Sequence, residues 1–181
     1  MRKYERLDRK LVYKGSIINM YEDTINVPNG NIAHWDFIGH NGAAGMLPVL
    51  DNGKILLVKQ WRNALDRFTY EIPAGGLENV DEPMKVCAIR ELEEETGYKA
   101  GQVEFLVSVK TTVAFCNERI DIFVARELVK THQHLDEDED IEVHEFELCE
   151  LLDKIRAGEI QDSKTISAIL AYKVFFADTI K

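Results

Sequence analysis

Residues Gly76 to Tyr98 read GLENVDEPMKVCAIRELEEETGY, a single helix with its start and stop written into it. Asp81 or Glu82 can cap it, and Pro83 falls in the first turn, where a missing N–H costs nothing. Thr96-Gly97 ends it with a residue free to turn left-handed. Val86, Ile89 and Leu92 recur every three residues, with Cys87 and Ala88 alongside, which predicts an apolar face against a core. On the same helix Glu91, Glu94 and Glu95 stand at i, i+3 and i+4 and so share a face. Carboxylates this close repel one another, and in the last turn they meet the negative end of the helix dipole. Arg90 offers one counter-charge, and a divalent cation is the economical remainder. Oxygen-only ligands select Mg2+, or Mn2+ in its place, over softer metals. A solvated acidic face is the alternative that spacing alone leaves open.

Upstream, Pro73-Ala74-Gly75-Gly76 permits only a turn, or a backbone held close to something else. Met46 to Leu50 and Lys54 to Gln60 read as strands joined by Asp51-Asn52-Gly53. Tyr4 to His40 alternates in short runs with a hairpin signal at Asn29-Gly30, which predicts a small antiparallel sheet. Downstream, Val103 to Thr112 and Ile120 to Ala125 read as strands around a loop at Val113 to Arg119. An acidic loop follows at Asp136 to Asp140, then a strand at Ile141 to Leu148. Glu150 to Arg156 forms a short helix closed by Gly158, and Ser163 caps a last helix running to about Ala177. Strands and helices intermix, which predicts an α/β (α+β) protein. The expected division is an N-terminal β subdomain over residues 1–40 and a main domain over 41–181.

The 181 residues carry 32 Asp and Glu against 22 Lys and Arg, a net charge of −10. Nucleic-acid binding needs clustered cations on one face, and none cluster here. Apolar runs such as Ile55 to Val58 fall far short of the ~20 residues a bilayer helix needs. The opening MRKYERLDRK leads into no apolar segment, so no secretory signal is expected. Cys87, Cys116 and Cys149 are too few and scattered for a disulfide framework or a zinc site, and read as small apolar residues in a reducing cytoplasm. His34, His40, His132, His134 and His144 show no ligand spacing and read as structural or surface residues.

The helix and its flanks resemble the Nudix hydrolases. The family's box pattern, Gly-x5-Glu-x7-Arg-Glu-U-x-Glu-Glu-x-Gly-U with U apolar, is met by Gly76, Glu82, Arg90, Glu91, Leu92, Glu94, Glu95 and Gly97, and loosely by Tyr98. A pattern fixing this many positions is highly specific. Lys59-Gln60-Trp61-Arg62, Glu71-Ile72-Pro73-Ala74-Gly75, Glu137 to Val143 and Gly158-Glu159-Ile160-Gln161-Asp162 resemble elements of the ADP-ribose pyrophosphatase branch. That resemblance implies a Nudix α/β/α sandwich with a mixed sheet, and a homodimer that exchanges its N-terminal sheet to help form the substrate site.

By the same resemblance Glu91 and Glu95 coordinate metal, Glu94 is a further ligand, and the Gly75 carbonyl is another. Arg90 fixes a box carboxylate, and Glu82 caps or braces the helix. Glu137 is the candidate general base and Glu139 an extra metal ligand, although five consecutive acids can equally be a solvated loop. Arg62 would clamp the diphosphate, and Trp61 or Trp35 could stack on a purine. The implied activity is hydrolysis of a nucleoside-diphosphate sugar, ADP-ribose first, to AMP and ribose 5-phosphate. Val113 stands where that branch has a proline in the turn shaping the sugar side, which keeps GDP-mannose or another nucleotide sugar open. A catalytically inactive nucleotide-sugar-binding regulator is a third reading.

Overall fold

The structure is a computed structural model and describes residues 3–137 and 139–177. The chain forms two compact units, one holding the residues up to Gly42 with Lys110–Arg119, the other Ala43–Val109 with the residues from Ile120 onward. Sequence reading had left the loop at 113–119 with the main domain. It joins the first unit because Ile38 N–H donates to the Phe115 carbonyl at 2.7 Å and His40 N–H to Asn117 Oδ1 at 2.8 Å.

The first unit is an antiparallel sheet of β1 (Glu5–Lys14), β2 (Asn19–Asn26) and β3 (Ile32–Gly39), in that order. Gly30 takes a φ of 92° in the β2–β3 turn, a conformation that favours glycine. Arg9 grips Asp23 through both nitrogens and lies 3.7 Å from the centre of the Phe37 ring. Leu7, Leu11, Val12, Tyr13 and Ile17 remain exposed.

The second unit holds two sheets. One has the order β7 (Ala74–Gly76), β4 (Ala43–Pro48), β9 (Arg119–Lys130), β8 (Tyr98–Lys110); the other runs β10 (Glu142–Phe146), β5 (Ile55–Arg62), β6 (Arg67–Glu71). β4 is antiparallel to β7 and parallel to β9, so this sheet is mixed, as expected. β4 is buried along its whole length, and its side chains alternate between two cores. Ala44 and Met46 meet Cys87, Ala88 and Leu92 of α1 (Met84–Thr96). Ala43 and Leu47 turn to a larger core with Leu151 of α2 (Leu148–Ala157) and Ala168 and Ile169 of α3 (Ser163–Tyr172). Helix, sheet and helices thus form the α/β/α arrangement.

β4 and β5 are joined through Asp51-Asn52-Gly53 as expected, meet at a Val49–Ile55 bridge and then part into different sheets, because β7 and β9 occupy both edges of β4. Three local expectations are corrected. Pro83, not Asp81 or Glu82, is the N-cap of α1, with no side-chain cap. Val86 and Ile89 are exposed, and the buried positions of α1 are Cys87, Ala88, Glu91, Leu92, Glu95 and Thr96, so two glutamates occupy a stripe that patterning reserves for apolar residues. Asp162, not Ser163, caps α3, accepting from Thr165 N–H at 2.9 Å. Beyond α3 the chain continues as a π-helical turn, Lys173–Ala177. Gly97 and Gly158 end their helices left-handed as expected, at φ 69° and 75°.

Candidate active site

Glu91 and Glu95 are 9% and 3% exposed, so neither belongs to a solvated acidic face. Arg90 supplies the charge between the glutamates. Its Nη1 donates to Glu91 Oε1 at 2.6 Å and to Glu94 Oε2 at 2.9 Å, its Nη2 to the Gly76 carbonyl at 3.1 Å, and its Nε to Glu82 Oε1 at 3.3 Å. Glu82 also accepts from Glu78 N–H at 2.8 Å, so it braces the approach to the helix. Glu95 Oε2 accepts from Ala74 N–H at 3.1 Å, which ties β7 to the helix.

β7 is the backbone held close that the glycines permit. A Cβ built on Gly75 would lie 2.5 Å or less from the Cδ and both oxygens of Glu91. Any larger residue there would push the Glu91 carboxylate out of its place. Cys87 lies beneath, its thiol 3.6 Å and 3.5 Å from the Gly75 and Gly76 carbonyls. Burial, with Glu91 and Glu82 nearby, pushes that thiol up to about 12, which leaves it unreactive.

Burial is also the main cause of shifts at the carboxylates. It raises Glu91 to about 7 against the pull of Arg90, with Glu94 and Glu139 adding like charge. It raises Glu95 to about 8, helped by Glu91 and opposed by the Ala74 N–H. Two buried acids held this far from their ordinary range mark a place where positive charge is wanted.

These groups line a cavity of about 370 Å³ whose remaining walls include Glu78, His134, Asp136 and Glu139. A larger cavity of about 620 Å³ lies in the first unit beside His34, Trp35 and Phe115, with Asp36 as its one carboxylate. Charge chemistry singles out the smaller one. Apart from His134 its candidate ligands are oxygens, and Gly75 leaves its carbonyl strand uncrowded, which suits a hard divalent cation. Among the described residues no three His, Cys, Asp or Glu side chains stand as a ready-made metal cage, and Arg90 bridges Glu91 and Glu94.

Of the other residues singled out in the sequence, Glu139 reaches the cavity; Glu137 is exposed on the turn and does not appear among the described lining residues. Asp138 lies outside the described residues. Arg62 is already engaged, its fork donating to both oxygens of Glu71 at 2.7 Å. Lys164 closes on the same carboxylate and lies 3.1 Å from Asp162. Burial pushes Glu71 up, but Arg62 and Lys164 together overcome it and hold it at about 2. Trp61 is half-exposed and edge-on to Phe68, ring centres 5.3 Å apart. Trp35, also half-exposed, lines the first unit's cavity.

Sequence reasoning missed His134, which lines the acidic cavity instead of serving only as a surface residue, and Asp136 beside it. Their proximity to the acidic run was the available clue. It also missed Lys164, whose burial nothing in the local pattern announces.

Residues 39–168 match the NUDIX domain family, and the chain belongs to that family. An ADP-ribose pyrophosphatase of Bacillus subtilis is 39% identical over 163 residues, covering 89% of this chain and 88% of the relative. A methanol dehydrogenase activator of Bacillus methanolicus is 38% identical over 160 residues, covering 87% and 86%. A GDP-mannose pyrophosphatase of Cronobacter sakazakii is 35% identical over 135 residues, covering 70% of each chain. A solved structure described as an ADP compounds hydrolase superposes with a TM-score of 0.89 at 18% identity, covering 99% of this chain and 97% of that one, a likeness of fold.

Proposed function

We propose that the protein is a Mg2+-dependent pyrophosphohydrolase of nucleoside-diphosphate sugars, with ADP-ribose the preferred substrate, cleaved to AMP and ribose 5-phosphate. The carrying observation is the buried Glu91–Glu95 pair of α1, with β7 passing so close at Gly75 that a side chain there would displace the Glu91 carboxylate. Glu91, Glu94, Glu95, the Gly75 carbonyl and Glu139 would hold the cation, for which Mn2+ could substitute, and bound there it would supply charge neutralisation for the diphosphate and Lewis acidity toward the attacking water. Arg90 keeps Glu91 and Glu94 in place for that task. Glu137, exposed on the turn beside Glu139 of the acidic cavity, would take the proton of the attacking water by moving in with the acidic segment. Arg62 receives diphosphate oxygens beside Glu71, and Trp61 or Trp35 offers an aromatic face to the base.

Relatives named for ADP-ribose and for GDP-mannose both support nucleotide-sugar diphosphate cleavage, and Val113, 83% exposed in its turn, keeps the second substrate in play. The relative named an activator recommends a direct test of catalysis, though Arg90, Glu91, Glu94 and Glu95 are all in place. A turnover panel of ADP-ribose, GDP-mannose, UDP-glucose, NADH and diadenosine polyphosphates with Mg2+ decides it. ADP-ribose should lead GDP-mannose by ~10-fold in kcat/KM, since one altered apolar contact is worth only ~1–3 kcal/mol. Preference for GDP-mannose would reassign the substrate, and no monophosphate release at all would leave a binding regulator.

The N-terminal sheet, residues 1–40, serves as the dimerisation subdomain of a homodimer. Nearly all of β1 is exposed, including Leu7, Leu11, Val12 and Tyr13, and a sheet of this size is marginal alone. A cytoplasmic location fits three free cysteines, and no helix among the described residues is long and apolar enough to cross a membrane. Fluorescence microscopy of the tagged protein showing it outside the cytoplasm would reject that location.

A further inference from the structure

The last turn of an α-helix leaves carbonyls without partners of their own. The segment Thr131–His134 supplies donors to two of them in α1 and to the carbonyl of Gly97 just beyond it. Thr131 N–H reaches the Gly97 carbonyl at 2.6 Å, His134 N–H reaches that of Glu94 at 2.9 Å, and Gln133 Nε2 reaches that of Glu95 at 2.7 Å. Gln133 Nε2 also donates to the Ile141 carbonyl at 3.3 Å. An amide nitrogen carries two hydrogens, so both bonds form together.

Gln133 and Ile141 stand where the acidic segment leaves and rejoins the body of the unit. Gly97 makes their docking possible. A Cβ there would meet Gln133 N at 2.9 Å and His132 C at 3.1 Å, backbone atoms with little room to yield. Between the stems Glu139 N–H donates to the Asp136 carbonyl at 3.1 Å, and Asp136 N–H to Glu139 Oε2 at 3.2 Å. Both acids line the cavity of Glu91 and Glu95.

We infer that Gln133 is a positioning residue of the active site, its side-chain amide stapling both stems of the acidic segment to the Glu95 carbonyl and so holding Asp136 and Glu139 against the cavity. Glu95 thereby serves twice: its carboxylate lines the cavity and its carbonyl anchors the wall opposite. The inference rests on reading that cavity as the place of reaction, and it predicts behaviour in the protein without metal or substrate as well.

Gln133→Met keeps the length and removes both hydrogens; Gln133→Lys restores a donor of similar reach. In metal-free protein, amide hydrogen exchange at Asp136 and Glu139 should accelerate at least ~10-fold in Gln133→Met, while the amides of α1 keep their protection. Under Mg2+ its kcat for ADP-ribose should fall ~10-fold with KM little changed, and Gln133→Lys should recover part of both losses. Unchanged exchange at Asp136 and Glu139 overturns the inference. So does acceleration shared equally with the last turn of α1, which would make Gln133 a helix cap and nothing more. If the parent protein hydrolyses none of the panel, the functional reading fails while the exchange result still stands or falls by itself.

Discussion

Gly75→Ala adds one methyl group, and the structure states where it goes. The new carbon falls 2.5 Å or less from three atoms of the Glu91 carboxylate. Ordinary contact is ~3.5 Å, so the carboxylate must retreat by about 1 Å. It can do so, because it is the end of a flexible side chain. β7 keeps its pairing with Ala44, and Gly75 is not among the residues with positive φ, so alanine brings no backbone strain. The loss of chain entropy on folding even shrinks, a gain of ~0.4–1 kcal/mol that offsets the lost Arg90 contact. Function has no such freedom. A displacement of ~1 Å at a reacting centre costs ~100-fold, about 2.7 kcal/mol on the barrier. Gly76→Ala is the control, since a Cβ there meets nothing within 4 Å. AMP release from ADP-ribose under Mg2+, with thermal melting alongside, should show Gly75→Ala near the parent Tm with kcat down ~100-fold, and Gly76→Ala down by ~5-fold or less. Equal losses in the two variants, or Gly75→Ala retaining half its turnover, would refute the reasoning.

The metal-free protein should be most stable near pH 4.5, the ordinary value from which Glu91 and Glu95 rise to about 7 and 8 and Glu71 falls to about 2. Raised acids keep protons that the unfolded chain has lost, so their contribution is full below pH 4.5 and fades as pH climbs through 7 and 8. Glu71 acts oppositely, contributing fully above pH 4.5 and losing its effect as pH drops toward 2. A Tm that holds level or climbs between roughly pH 5 and pH 8 would contradict the first window. Glu137→Gln should lower kcat with the Mg2+ requirement unchanged, whereas Glu139→Gln should raise that requirement, because a base and a ligand fail differently. Small, equal effects would return the acidic segment to solvent. Light scattering should give a dimer at micromolar concentration, and a fully active monomer would remove the dimer proposal.

The helix and its glycine stop were legible because they rest on local chemistry: Gly97 must be left-handed, Pro83 must sit at a helix start. The apolar face was misplaced by one position for a functional reason. Glu91 and Glu95 occupy inward positions that the arithmetic of hydrophobicity assigns elsewhere, so Val86 and Ile89 look like core and are not. At the site, Arg90 and the box glutamates could be named from spacing. Gln133 and Lys164 could not, since their roles depend on which carbonyl or carboxylate a distant element brings within reach, and for His134 the neighbouring acidic run was the one clue. The same limit hid the parting of β4 and β5 into different sheets, which β7 and β9 bring about by taking both edges of β4.

The parallel pairing of β4 with β9 joins Ala43 to Ile120 and Pro48 to Ala125. A contact so distant along the chain has to meet its loop-closure entropy before it contributes, so it forms late. β7 and α1 lie between the two strands in sequence, and Gln133, Asp136 and Glu139 come after both. Early in folding α1 can form alone, with its glutamates in water and of ordinary acidity. β7 reaches Glu91 and Glu95 by pairing with β4, and the segment behind β9 then closes over the helix end. A chain stopped at Lys130 therefore carries Glu91 and Glu95 without the segment holding His134, Asp136 and Glu139 that completes the wall of their cavity.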